Sequence, residues 1–103
     1  MNIGFIGTGK IASSIIYGIF KSKLKIKKIY ISSRNKNIAR KLNKKFKKVE
    51  ICKKNQDISD SCSTIFLAVT PSVGRKILPQ IQFKKAKNII SLISTINLKS
   101  LKQ

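Results

Sequence analysis

A chain of 103 residues has room for one hydrophobic core and little more, and this one sets 23 lysines and arginines against 3 acids, for a formal charge of +20. It has no histidine, which removes any Ser-His-Asp triad and the commonest metal ligand, and Glu50, Asp57 and Asp60 are too few for a carboxylate pair or a metal site. Chemistry, if there is any, has to come mostly from a cofactor, and no catalytic side chain can be named.

The elements alternate between strand and helix from the first residues. Asn2 to Ile6 is a short apolar strand that stops at Gly7-Thr8-Gly9, and a helical pattern follows at once in Ile11, Ile15 and Ile19, predicting a helix from about Gly9 to Phe20. A Gly-x-Gly-x-x-Ala spacing lies over that joint. Gly7 permits a sharp turn, Gly9 has no side chain to block a phosphate, and Ala12 lets helix and strand pack closely. Glycine also punctuates ordinary turns. Here the motif follows a strand, opens a helix and precedes a second strand, the context that points helix N–H groups and dipole at a dinucleotide pyrophosphate.

The second strand, Lys28 to Ser32, ends in Ser33-Arg34-Asn35. NAD-binding domains usually place an acid about 20 residues beyond the glycines, to bond a ribose 2′-hydroxyl. None stands here. Arg34 offers a planar fork of donors to a phosphate and Ser33 adds a hydroxyl, which favours NADP(H) over NAD(H). Either Ser33 or Asn35 can instead cap the next helix, whose face is marked by Ile38, Leu42 and Phe46.

Strand three is Val49 to Lys53, and Asn55 and Asp57 can start a brief helical turn. Strand four, Thr64 to Val69, is a continuous apolar run of the kind that a parallel sheet covers on both faces. Pro71 and Ser72 open a helix through Val73 and Ile77 that stops near Pro79. Strand five, Asn88 to Ile93, is again apolar, and Asn97 can cap a final helix carrying Leu98 and Leu101. The pattern predicts one α/β domain over 1–103, a doubly wound and mainly parallel sheet of Rossmann type. Its ligand should lie at the carboxyl ends of the strands, near the topological switch point.

The charge has two readings. Clustered lysine neutralises nucleic-acid phosphates, but here the lysines cover every connection, and Phe and Tyr sit at apolar-face positions rather than between them. The excess is nearly all lysine beside abundant Ile and Asn, the bias of an A+T-rich genome. No specific nucleic-acid partner is expected, although the field would draw in an anionic cofactor. Met1 leads into a strand without a signal peptide, and the apolar stretches are too short to span a bilayer, so a cytoplasmic protein without a membrane partner is expected. Cys52 and Cys62 have neither zinc nor redox spacing and read as free thiols.

The segments Ile3-Gly4-Phe5-Ile6-Gly7-Thr8-Gly9-Lys10-Ile11-Ala12, Ser32-Ser33-Arg34-Asn35, Asn55, Phe66-Leu67-Ala68-Val69-Thr70-Pro71 and Ile89-Ile90-Ser91-Leu92-Ile93-Ser94 resemble, in order and spacing, those of pyrroline-5-carboxylate reductase. That family reduces 1-pyrroline-5-carboxylate to L-proline with NADPH or NADH, the last step of proline biosynthesis. The resemblance implies that Ile6, Gly7, Thr8, Gly9, Lys10 and Ile11 wrap the pyrophosphate, and that Ser33 and Arg34 hold the 2′-phosphate. It also implies that Asn55 bonds the adenosine-side ribose. Ala68, Val69, Thr70 and Pro71 would run beneath the nicotinamide half, with Leu92, Ile93 and Ser94 closing that side.

Two positions depart from the family: Thr70 stands where a lysine is common, and Ser94-Thr95 replaces small residues. Family enzymes continue into a helical domain that dimerises and supplies most of the substrate pocket. These 103 residues end before it, so dimerisation is not expected from them alone, and the substrate would need a helical partner domain. A non-catalytic NADP(H)-binding module and another NADP- or F420-dependent reductase sharing this first domain remain open as alternatives.

Overall fold

Strand and helix alternate as the periodicity predicts. The computed structural model describes residues 1–86 and 88–92. In chain order the elements are β1 (Asn2–Ile6), α1 (Lys10–Lys21), β2 (Lys28–Ser32), α2 (Lys36–Lys45), β3 (Val49–Cys52), α3 (Asn55–Ser61), β4 (Thr64–Leu67), α4 (Pro71–Ile77), a 3-10 turn (Leu78–Gln80) and β5 (Asn88–Ser91). The expected final helix lies outside the described residues.

All four strand pairings are parallel, in the order β3-β2-β1-β4-β5. The chain builds outward from β1 through β2 to β3, then crosses back to place β4 on the other side of β1. This is the Rossmann arrangement, and its switch point lies between β1 and β4.

Side-chain alternation assigns each face of the sheet its own helices. Ile3, Phe5, Ile29, Ile31 and Val49 form one core with Ala12 and Ile16 of α1 and Ala39 and Leu42 of α2. Ile6, Ile65 and Leu67 face the other way, against Ile58 and Cys62 around α3. Each of the isoleucine, leucine, valine and phenylalanine side chains among these, fully buried, contributes about 1.5–3 kcal/mol. Phe5 and Phe66 stack on adjacent strands with centroids 4.8 Å apart. Phe46, at the end of α2, stacks on Phe20 at 4.2 Å and meets Tyr17 edge-on at 5.1 Å, which fastens α1 to α2. Gly4 lets α3 lie directly on β1, because a Cβ there would stand 2.5 Å from Ile58 Cγ2 and 2.9 Å from Cys62 Sγ.

Three differences from the predicted elements matter for the site. β4 ends at Leu67, so Ala68-Val69-Thr70 leaves the sheet as a loop. β3 ends at Cys52 rather than Lys53. β5 ends at Ser91, and although Ser91 and Leu92 are half-buried, Ile89 and Ile90 are 47% and 41% exposed. β5 is apolar in sequence, but it is the edge strand of the sheet, beside β4 alone.

Both cysteines are free. Burial pushes the Cys62 thiol up to about 12, with Cys52 adding to the shift. Cys52 rises to about 11 through burial first, then through Glu50 and Asp57. Both are therefore protonated and poorly nucleophilic near neutral pH.

Candidate dinucleotide site

The loops that follow β1 and β4 at the switch point, with the start of α2, line a cleft of about 580 Å³. Gly7, Thr8 and Gly9 form one wall, Ala68, Val69, Thr70 and Val73 another, and Arg34, Asn35, Lys36 and Asn37 the third. A neighbouring cavity of about 280 Å³ shares Gly9 and Ala68-Val69-Thr70 and adds Lys10, Ile11, Ala12 and Leu92. Together they run across the sheet's edge from the end of β2, past the start of α1, to the end of β5.

The turn between β1 and α1 has its form because of its glycines. Gly7 adopts φ +98°, which side-chain-bearing residues rarely take, and a Cβ there would meet the Ala68 carbonyl and stand 2.6 Å from Val69 Cγ1. The Ala68 N–H donates to the Ile6 carbonyl at 2.8 Å, drawing the β4 loop against the turn. Gly9 differs, since a Cβ there would meet nothing within 4 Å. Its missing side chain therefore leaves open space in the cleft.

Gly9 is the N-cap of α1, and no side chain caps that helix. The opening N–H groups of a helix have no partners within it, and the dipole adds partial positive charge there. Arg34, Lys36 and Lys10 line the two cavities, and among the described residues no carboxylate does. Extended, anionic and phosphate-bearing ligands suit such a surface. A dinucleotide fits these residues. The start of α1 would receive its diphosphate, Arg34 and Lys36 a phosphate on the adenosine ribose, and the Gly9–Leu92 cavity the nicotinamide.

Of the residues singled out from sequence, Gly7, Thr8, Gly9, Arg34, Ala68, Val69 and Thr70 line the larger cavity, and Lys10, Ile11 and Leu92 the smaller. Ile6 is fully buried and lines neither cavity, and its carbonyl accepts from the Ala68 N–H. Ser33 is half-buried beside Arg34, Asn55 opens α3, and Pro71 is the first residue of α4; none of these three lines either cavity. Ile93 and Ser94 lie outside the described residues. Asn35 is the cap of α2, accepting from Ile38 N–H at 3.4 Å, while Ser33 is not. Lys36, Asn37 and Val73 went unnoticed in the sequence. The first two occupy the opening turn of α2, and a cation two residues beyond Arg34 was the available signal.

Among the described residues no group of His, Cys, Asp or Glu is placed to hold a metal, and no helix is long and apolar enough to cross a membrane.

Residues 2–97 match the model of a family described as NADP oxidoreductase, coenzyme F420-dependent. Among solved structures, the chain is similar to 1-pyrroline-5-carboxylate reductase from the human pathogen Streptococcus pyogenes, with a TM-score of 0.70 and 31% sequence identity over 89% of this chain. It spans 33% of that enzyme's length. No curated protein matches it. The family match takes in both glycines of the turn, the Arg34 segment and the loop after β4, and on that ground the chain belongs to the coenzyme F420-dependent NADP oxidoreductases.

Proposed function

We propose that this chain is the NADP(H)-binding domain of a cytoplasmic reductase of the pyrroline-5-carboxylate type, acting in proline biosynthesis. The observation that carries the reading is the cleft itself. It joins an uncapped helix start to Arg34 and Lys36 beside the switch point, and among the described residues no carboxylate lines it to repel a 2′-phosphate. The similarity to the streptococcal reductase supports the substrate, and the absence of an acid at the end of β2 supports NADP(H) over NAD(H).

When bound, the reduced nicotinamide supplies hydride to the carbon of a protonated cyclic imine, and L-proline results. The chain's own residues bind and orient. The Gly7–Gly9 turn and α1 seat the diphosphate, Arg34 and Lys36 select the adenosine half, and Ala68-Val69-Thr70 with Leu92 bounds the space for the ring. A helical partner domain would supply the clamp for the substrate carboxylate.

Calorimetry with NADPH and NADH tests the cofactor half of this reading. Arg34→Glu should weaken NADPH binding by about a hundredfold and NADH by no more than about threefold, since a charge-assisted fork to phosphate becomes a repulsion. Equal losses would remove Arg34 from the phosphate seat. Oxidation of NADPH by 1-pyrroline-5-carboxylate, with and without an added helical domain of such a reductase, tests the substrate. The family description favours one second reading, transfer between NADPH and a deazaflavin. NADPH-dependent bleaching of coenzyme F420 without turnover of the imine would select it.

A further inference from the structure

Beneath the glycine turn, Thr8 and Ser32 are almost closed to solvent, at 3% and 4% exposure. The Gly7 N–H donates to Ser32 Oγ at 2.9 Å, and Thr8 Oγ1 donates to the Ser32 carbonyl at 2.6 Å. The two hydroxyl oxygens stand 3.0 Å apart. Proton counting fixes the direction of that third bond. A threonine hydroxyl has one proton, and Thr8 already gives its own to the Ser32 carbonyl. Ser32 must therefore donate to Thr8 Oγ1. The chain runs from Gly7 N–H to Ser32 Oγ–H to Thr8 Oγ1–H to Ser32 C=O, with each donor used once.

This relay lies just past the strand pairing. β1 and β2 are already joined in register from Asn2↔Lys28 to Phe5↔Ile31, so the strands do not need it to find each other. What it ties down is the turn itself. One end holds Gly7 and Thr8, immediately before the start of α1. The other holds Ser32, the last residue of β2, immediately before Ser33 and Arg34. Buried hydroxyl chains in which every donor and acceptor is matched favour one arrangement over others.

We propose that Thr8 and Ser32 are positioning residues that hold the diphosphate seat and the Arg34–Lys36 seat at a set separation, so that the cleft recognises two phosphates together rather than each alone. The proposal rests on the dinucleotide reading above. Neither side chain needs to touch the ligand. Each acts through the turn and the strand end that it joins.

The test is calorimetry of Thr8→Val, which keeps the shape and removes the hydroxyl, with NADPH, NADH and adenosine 2′-monophosphate as probes. NADPH should weaken about tenfold, NADH about twofold, and the monophosphate not measurably, because only NADPH has both phosphate groups. Thr8→Ser should restore NADPH binding to near the native value. Equal losses for all three probes, or no loss in a folded Thr8→Val, would overturn the proposal. Ser32→Ala gives an independent variant with the same expected order should Thr8→Val fail to fold. If the native chain binds neither dinucleotide, the cofactor reading falls, and hydrogen exchange at the Gly7 amide then decides the relay. Slow exchange in the native chain and fast exchange in Ser32→Ala, which removes the acceptor of that amide, would support it, and equal rates would refute it.

Discussion

Three helices begin beside the same cleft, and they begin differently. α2 and α4 each satisfy an opening N–H with a side chain, Asn35 Oδ1 accepting from Ile38 and Thr70 Oγ1 from Val73, both at 3.4 Å. α1 starts at Gly9 with no side-chain cap, although serine, threonine, aspartate or asparagine would fit the extended backbone there, at φ −99° and ψ −167°. α1 is also the longest of the three, at 12 residues against 10 and 7. α3, away from the cleft, also begins without a side-chain cap, so an open helix start is not by itself diagnostic. At α1 the open start coincides with the free space at Gly9 and with the cations of the cleft, and that combination is what suits an anion.

The contrast can be broken most severely at the turn that aims α1. Gly7→Val forces a β-branched residue into φ +98° and into the Ala68 carbonyl, so thermal or denaturant unfolding should show a loss of about 3 kcal/mol, with dinucleotide binding abolished. An unchanged melting curve would mean that the turn can relax. Gly9→Asp sharpens the comparison by giving α1 the cap it lacks. Stability should rise by a few tenths of a kcal/mol, while NADPH affinity falls by about a hundredfold or more, since the carboxylate takes the donors and repels the diphosphate. Binding equal to that of the native chain would show that the helix start is not the seat. At the capped end, Asn35→Ala should cost about 1 kcal/mol of stability and leave NADH affinity within about twofold. A large loss of NADH binding there would mean that α2 also holds the ligand directly.

Much of this was legible in the chain. β1, the turn, α1 and β2 follow from a switch of period at two glycines, and local patterns report local structure well. The cluster of Arg34 with the turn was also legible, because the motif and the strand end lie on neighbouring strands in any Rossmann sheet. What escaped depends on tertiary position. Lys36 and Asn37 enter the cleft only because α2 starts where it does, and neither residue type announces that. Thr8 and Ser32 read as an ordinary turn residue and a strand end until their hydroxyls are seen together. The exposure of Ile89 and Ile90 also escaped, because composition reports an apolar strand but not its place in the strand order. Asn55, carried over by resemblance, opens α3 and lines neither cavity.

The one ion pair among the described residues, Lys28 to Glu50 at 3.7 Å, is half-exposed and neutralises little of the +20 charge. Electrolyte should therefore act on this molecule in two opposing senses. At 0.1 M the screening length is about 10 Å, short enough to quiet repulsion among lysines on adjacent helices, so added salt should raise the melting temperature. The same screening weakens the pull on a polyanionic coenzyme. Conditions that best preserve the folded chain in the tube are thus those in which it holds its coenzyme least firmly.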